Sequence, residues 1–280
     1  MVREVCNGRG GASIKTTDKR RQDMDKPYDS LDHHFNLPQI RPIGTERPMQ
    51  WLRMGWNDMR ENLGASLSYG VILAAIGYTI LSYSADKPYL FMAAISGFML
   101  IGPLAAAGLY EISRRYEKGE KVSFIGSIRG LMHNADGLAF FGAFLAIALI
   151  GWERISAIMF ALFYRGEVSN VTNFVSGILG SGENLYFLAA YVVVGAALAI
   201  VVFALSAISI PLLMDRDTDA FTAAMTSLRA VQMNFDTMML WAVLVVALIG
   251  IGFASMMVGM VILLPLVGHA TWHAYRDLIR

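Results

Sequence analysis

Two histidines four residues apart, His269 and His273 in Gly268-His-Ala-Thr-Trp-His-Ala-Tyr-Arg276, are the pair in this chain best spaced to do chemistry. On a helix that spacing puts both imidazoles on one face, where they could share a metal ion or line a haem. Two ligands do not complete a site, and a third would have to come from His133, Glu111 or another residue at the same end of the helices. The segment also reads as the interfacial end of a helix, with Trp272, Tyr275 and Arg276 as anchors. A second candidate is Glu153-Arg154, inside the otherwise apolar Gly151-Trp-Glu-Arg-Ile-Ser156. An ionisable pair facing a bundle interior would be functional. Trp152 points instead to an interfacial anchor, followed by a surface-lying segment from Ile155 to Tyr164.

Further polar candidates close other apolar runs. Glu111 and Arg114 follow one run, and Asp215 and Arg216 another, so charges of both signs could form salt-bridge belts there. Asp215, Asp217 and Asp219 alternate as in a calcium loop, but the glycine and terminal glutamate of such a loop do not follow, and a helix-capping turn is expected. Pro103, Pro211 and Pro265 each precede a leucine inside an apolar run, where a proline frees a backbone carbonyl that a solute could use. Neither a Ser-His-Asp arrangement nor an HExxH motif occurs, and the chain reads as non-enzymatic with no cofactor.

The elements that must position these residues are long and apolar. Leu67–Ser82, Leu90–Tyr110, Leu138–Gly151, Leu185–Leu213 and Met238–Gly268 carry almost no charge. Such runs match the roughly 20 residues a helix needs to cross about 30 Å of hydrocarbon. In lipid every backbone polar group must be satisfied internally, which makes these runs helices and the fold class all-α, a polytopic transmembrane bundle. The last run, at about 46 Å of helix, is too long for one ordinary span. Gly250, Gly252 and Ser255 offer a place for a hairpin between two helices, which gives six spans.

Charge sets the orientation. Of the 23 Lys and Arg residues, only Lys87, Arg154 and Arg165 fall on one side of a six-span chain, so both termini are expected in the cytoplasm. The spans also pair into three units. Ser127-Ile-Arg-Gly-Leu-Met-His-Asn134-Ala-Asp136 aligns with Ser227-Leu-Arg-Ala-Val-Gln-Met-Asn234-Phe-Asp236, and Met59-Arg-Glu-Asn62 matches at its asparagine. Tyr69, Phe141 and Trp241 follow those asparagines at one distance, and the three Pro-Leu pairs end the returning spans. The unit is then a cytoplasmic amphipathic helix, an outward span and a returning one, repeated over about 51–120, 121–219 and 220–280. Asn62, Asn134 and Asn234 are expected to cap the helices that follow them.

Composition narrows the classes. The chain is 55% hydrophobic and only 16% charged, with net charge +1 and mean hydropathy +0.48, so its surface faces lipid and nucleic acid is not a partner. The single cysteine, Cys6, excludes an intrachain disulfide and a cysteine-based metal site. Residues 1–50 are polar, lack the apolar core of a signal peptide, and are expected to form a disordered cytoplasmic tail in which His33 and His34 count for little and Met24 offers an alternative start.

Four strings together resemble a bacterial family of predicted integral membrane proteins, the domain-of-unknown-function 2189 family. They are Trp51-Leu-Arg-Met-Gly-Trp-Asn-Asp58, Gly102-Pro-Leu-Ala-Ala-Ala-Gly-Leu-Tyr-Glu-Ile-Ser-Arg-Arg115, Pro211-Leu-Leu-Met-Asp-Arg216 and Gly268–Arg276. The likeness spans about Ile40 to Arg280. It implies a bacterial inner-membrane protein and supplies neither an activity nor catalytic residues. Some members are labelled as resembling an oxidase subunit, but this chain lacks the histidines that haem and copper would need. The expected role is accessory, assembly or scaffolding, with the bilayer and another inner-membrane complex as partners. Small-residue faces at Gly97, Gly102, Ala105–Gly108 and Gly195–Ala197 suit close helix contact. A small-solute transporter or channel around the three prolines is the alternative, and a metal- or haem-binding protein using His269 and His273 is the third reading.

Overall fold

The computed structural model describes residues 38–85, 87–132, 135–163 and 185–280. The expectations for Cys6, Met24, His33, His34, His133, Asn134 and Arg165 fall outside these residues. Eleven α-helices run along the described chain: α1 (Arg47–Glu61), α2 (Leu63–Tyr83), α3 (Pro88–Ala105), α4 (Ala107–Glu117), α5 (Phe124–Leu131), α6 (Ala135–Phe163), α7 (Leu185–Ser206), α8 (Ser209–Asp215), α9 (Ala220–Met233), α10 (Phe235–Ala254) and α11 (Met260–Leu278). Among the described residues four stretches are long and apolar enough to cross a membrane: Leu63–Tyr83, Ala135–Phe163, Leu185–Asp215 and Phe235–Ala254.

The order of elements is a short helix, a long helix and a returning helix, three times over. Each short helix packs against a returning helix made earlier in the chain or, for the first, against the last. α5 lies on α4, α9 on α7 and α8, and α1 on α11. The ends of the returning helices, α4, α8 and α11, pack against one another in the middle. Leu109, Ile112, Ile208, Leu212 and Leu264, on or next to these helices, belong to the hydrophobic core and are almost wholly buried. Close approach is set by glycines: a Cβ on Gly55 would sit 2.6 Å from the Ala270 backbone nitrogen, and one on Gly268 2.6 Å from Leu109. Two of the small-residue faces serve the fold in the same way, with Gly97 against Leu149 and Gly195 against Trp152.

The segment that leads into α1 meets the residues that follow α11. Ile40 and Ile279 form an antiparallel bridge, Arg41 N–H donates to the Leu278 carbonyl at 2.8 Å, and α1 begins at Arg47. Residues 38–50 are therefore ordered here rather than part of the expected tail.

The asparagines do not act as the expected caps. Asn62 and Asn234 share one backbone conformation (φ −124°, ψ about 40°) between a short helix and a long one. Neither side chain caps the helix that follows. Each amide instead donates backward four residues, Asn62 to the Asp58 carbonyl at 3.0 Å and Asn234 to the Ala230 carbonyl at 3.2 Å. Asn234 also takes the Ile43 N–H at 2.8 Å and so holds the N-terminal segment. The last apolar run is indeed two helices, but their turn lies at Ser255–Gly259, just beyond the glycines that suggested it.

Candidate functional site

The first half of α11 is apolar, and its second half, from His269 onward, draws polar partners from four other helices. His269 is fully buried, with Nδ1 2.8 Å from Ser113 Oγ of α4 and Nε2 2.9 Å from Ser66 Oγ of α2. Ser113 donates to Asp58 Oδ2 of α1 at 2.5 Å, and the same oxygen lies 2.9 Å from His273 Nε2. These contacts fix a direction. Because the Ser113 hydroxyl gives its proton to the carboxylate, its oxygen is left to accept from His269 Nδ1–H. A ring buried without charge then has a bare Nε2, which accepts from Ser66. The chain Ser66, His269, Ser113, Asp58, His273 is thus a connected relay joining α1, α2, α4 and α11.

Farther along α11, each turn finds another anchor. Trp272 Nε1 donates to Glu117 at 3.1 Å, and Tyr275 O–H donates to Asp215 of α8 at 2.8 Å. Arg276 reaches both carboxylates, Glu117 at 3.1 Å and Asp215 at 3.4 Å. Asp277 is gripped from α1 by Arg47 Nε (2.5 Å) and NH2 (2.6 Å) and by the Trp51 indole N–H (3.0 Å). The bond to Asp277 raises the pKa of Arg47 above its already high value. The interfacial anchors Trp272 and Tyr275 are fully buried, so this helix end is the hub of the fold rather than a surface contact.

The two imidazoles do share a helix face, but serines take both nitrogens of His269 and Asp58 takes the Nε2 of His273. Glu111, offered as a third ligand, is buried and takes two bonds from Arg114 (2.7 and 3.0 Å) and one from Arg115 (2.6 Å). It also seats α5, since a Cβ on Gly130 would lie 2.3 Å from its carboxylate. Among the described residues no group of three or more His, Cys, Asp or Glu side chains could hold a metal ion. Arg216 ends α8 as its C-cap residue, beside Asp215.

Glu153 and Arg154 pair with each other at 3.3 Å, with the arginine side chain 76% exposed. Trp152 points the other way, buried edge-on against Tyr191 at 5.0 Å. α6 continues unbroken to Phe163, which replaces the expected surface-lying segment up to that residue; Tyr164 lies outside the described residues. The prolines meet packed helix. Pro103 precedes the break at Ala106, Pro211 follows the break at Ala207–Ile208, and Pro265 lies within unbroken α11. At the second break the Ile208 N–H donates to buried Ser227 of α9 at 3.2 Å.

Sequence reasoning missed Asp58, Ser66 and Ser113. Asp58 left a signal: with Trp51, Gly55 and Met59 it lies on the one buried face of α1, a carboxylate in an apolar stripe. The two serines left none, being small residues ordinary in membrane helices.

No curated protein and no solved structure matches the chain significantly. A family model described as predicted integral membrane protein (DUF2189) matches residues 90–215, from within α3 to the end of α8, a little under half of the chain. Over that region the chain is similar to the family that its four sequence strings resemble.

Proposed function

We propose that this is a multi-pass protein of a bacterial inner membrane, with both termini cytoplasmic and a non-enzymatic accessory, assembly or scaffolding role. The observation that carries the reading is how the chemically able side chains are used. His269, Ser66, Ser113, Asp58, Glu111, Asp215 and Asp277 are all engaged in bonds within the chain. Such a network fixes how helices sit and suits a rigid platform for a partner.

Three observations favour three repeated helix pairs with cytoplasmic amphipathic helices. They are the thrice-repeated element order, the shared backbone geometry of Asn62 and Asn234, and the burial of the aligned Tyr69, Phe141 and Trp241. The distribution of Lys and Arg favours the orientation. The test is a mild-detergent pull-down of tagged protein at native expression, with co-purifying proteins identified by mass spectrometry. A stoichiometric inner-membrane complex is expected. A protein that purifies alone and carries solute flux in proteoliposomes, lost on altering Pro103, Pro211 or Pro265, would overturn the reading in favour of a transporter.

A further inference from the structure

The two described hairpin turns differ in depth and in chemistry. The α2–α3 turn runs through Ser84 and Lys87, whereas the α10–α11 turn is Ser255-Met-Met-Val-Gly259. Contacts along α2 and α3 place the second turn well short of the first. A Cβ on Gly70, about 10 Å along α2 from its start, would meet the Val261 carbonyl oxygen at 2.1 Å. Gly77 lies against the Met257 methyl group. Phe253, next to the end of α10, stacks edge-on with Phe98 at 5.5 Å, and Phe98 is about 15 Å below the start of α3 at Pro88. With Ser84 and Lys87 at one membrane face, the α10–α11 apex, level with Gly77, therefore lies about 10 Å inside the hydrocarbon.

The apex is built for that place. Met256 and Val258 are 68% and 74% exposed, an apolar tip that water would penalise. Met256 and Met257 adopt left-handed backbone (φ 53° and 69°), which reverses the chain within a few residues. The N–H groups of Met256, Met257 and Val258 bond to carbonyls between Gly252 and Ser255, and the Gly259 N–H bonds to Ser255 Oγ at 2.8 Å. Irregular backbone facing lipid must be satisfied in this way.

Beside the apex lies a cavity of about 280 Å³ between α2, α3, Leu149 of α6 and Phe253. Its wall is apolar, and the exposed flanks of Ile76, Ile80 and Ile101 leave it open sideways. It is roughly twice the size of a 150 Å³ engineered cavity that holds benzene.

We propose that the α10–α11 hairpin ends inside the hydrocarbon and that the cavity beside its apex holds an acyl chain of a bilayer lipid from the leaflet opposite the termini. The inference rests on the membrane placement proposed above. The occupant follows from the depth: at that level the surrounding medium is acyl chain, the opening faces it, and the lining has no polar side chain to hold anything else.

Cys6 is the only cysteine, so a Cys6→Ser background allows single-cysteine mapping in membranes. Lys87→Cys should react with a charged maleimide from the side opposite a C-terminal tag. Met256→Cys should react on the order of a hundredfold more slowly from either side until detergent is added, because the charged reagent is kept out of hydrocarbon. Equal rates would show a hairpin that crosses, and would overturn the proposal. Lys87→Cys labelling on the tag side would overturn the orientation instead, leaving the apex depth to be read from Met256→Cys. The occupant is probed in vesicles of phosphatidylethanolamine and phosphatidylglycerol containing phospholipid with a mid-chain diazirine. Photocross-links should map to Ala94–Ile101 and Phe253. They should fall several-fold there in Ala94→Trp while persisting at the lipid-facing Ile147. Ala105→Leu at another part of the wall repeats the test if Ala94→Trp does not accumulate. Cross-linking unchanged by either filling variant would overturn the site.

Discussion

Removing the Asp58 carboxylate should loosen four helices at once. In Asp58→Leu, the Ser113 hydroxyl and the His273 ring lose an acceptor at 2.5 and 2.9 Å, and His269 loses the group that orders its tautomer. A hydrogen bond to a charged group is worth about 1.5–3 kcal/mol. The Ser113 bond is wholly buried and counts in full, whereas His273, 19% exposed, can turn toward solvent and recover part of its loss. The sum is a destabilisation of about 2–4 kcal/mol. Asp58→Asn keeps one carbonyl oxygen for the same two donors and should cost about half as much. The assay is SDS-titration unfolding of purified protein in mixed micelles, followed by tryptophan fluorescence, since Trp51 and Trp272 are buried at this end. Glu153→Ala serves as the control, because its Arg154 partner is mostly exposed and the pair should matter by less than about 0.5 kcal/mol. If Asp58→Leu unfolds no more easily than Glu153→Ala, the relay does not hold the bundle and the reasoning fails.

Asp277→Ala strands the Trp51 indole N–H and the Arg47 guanidinium, and should cost about 3 kcal/mol in the same titration. Gly70→Leu forces a side chain into the Val261 backbone and should lower the melting temperature in detergent, by a larger margin than Gly64→Leu, whose added Cβ meets open space. Asp219 caps α9 through the Phe221 and Thr222 N–H groups, and Asp219→Ala should cost about 1 kcal/mol. Bonds from Thr222 hold the Asp219 pKa below its ordinary value, so the contribution of this cap is present above that ordinary value and lost as pH falls through the depressed one. An acid titration of stability should therefore show a smaller drop in Asp219→Ala than in the parent.

Much of the architecture could be read directly. Apolar length located the long helices and showed that the last run had to turn back, because about 46 Å of helix exceeds one ordinary span. The i, i+4 pair on α11 was also visible, and His269 does lie at the most connected point of the molecule. Its meaning was not, since Ser66 and Ser113 come from 203 and 156 residues away and nothing local announces such partners. Asn62 and Asn234 were misread because their composition suits a cap, while their φ of −124° turns the amide back onto the preceding helix. Trp152 shows the same ambiguity: an indole near a helix end marks an interface in some proteins and a core in others, and only Tyr191 and Gly195 decide.

The pairing of α1 with α11 has a consequence for synthesis. α1, with Trp51 and Asp58 on its inner face, has its main partner in α11, about 200 residues later in the chain. At about 5–20 residues per second, α1 waits roughly 10–45 seconds before α11 exists. During that interval a tryptophan and a carboxylate destined for burial are left without their receptor, and a nascent chain that stops early never covers them. A product cut short before His269 would keep its long helices in the bilayer yet present α1 unmatched, a mark by which a membrane protease can recognise an incomplete chain.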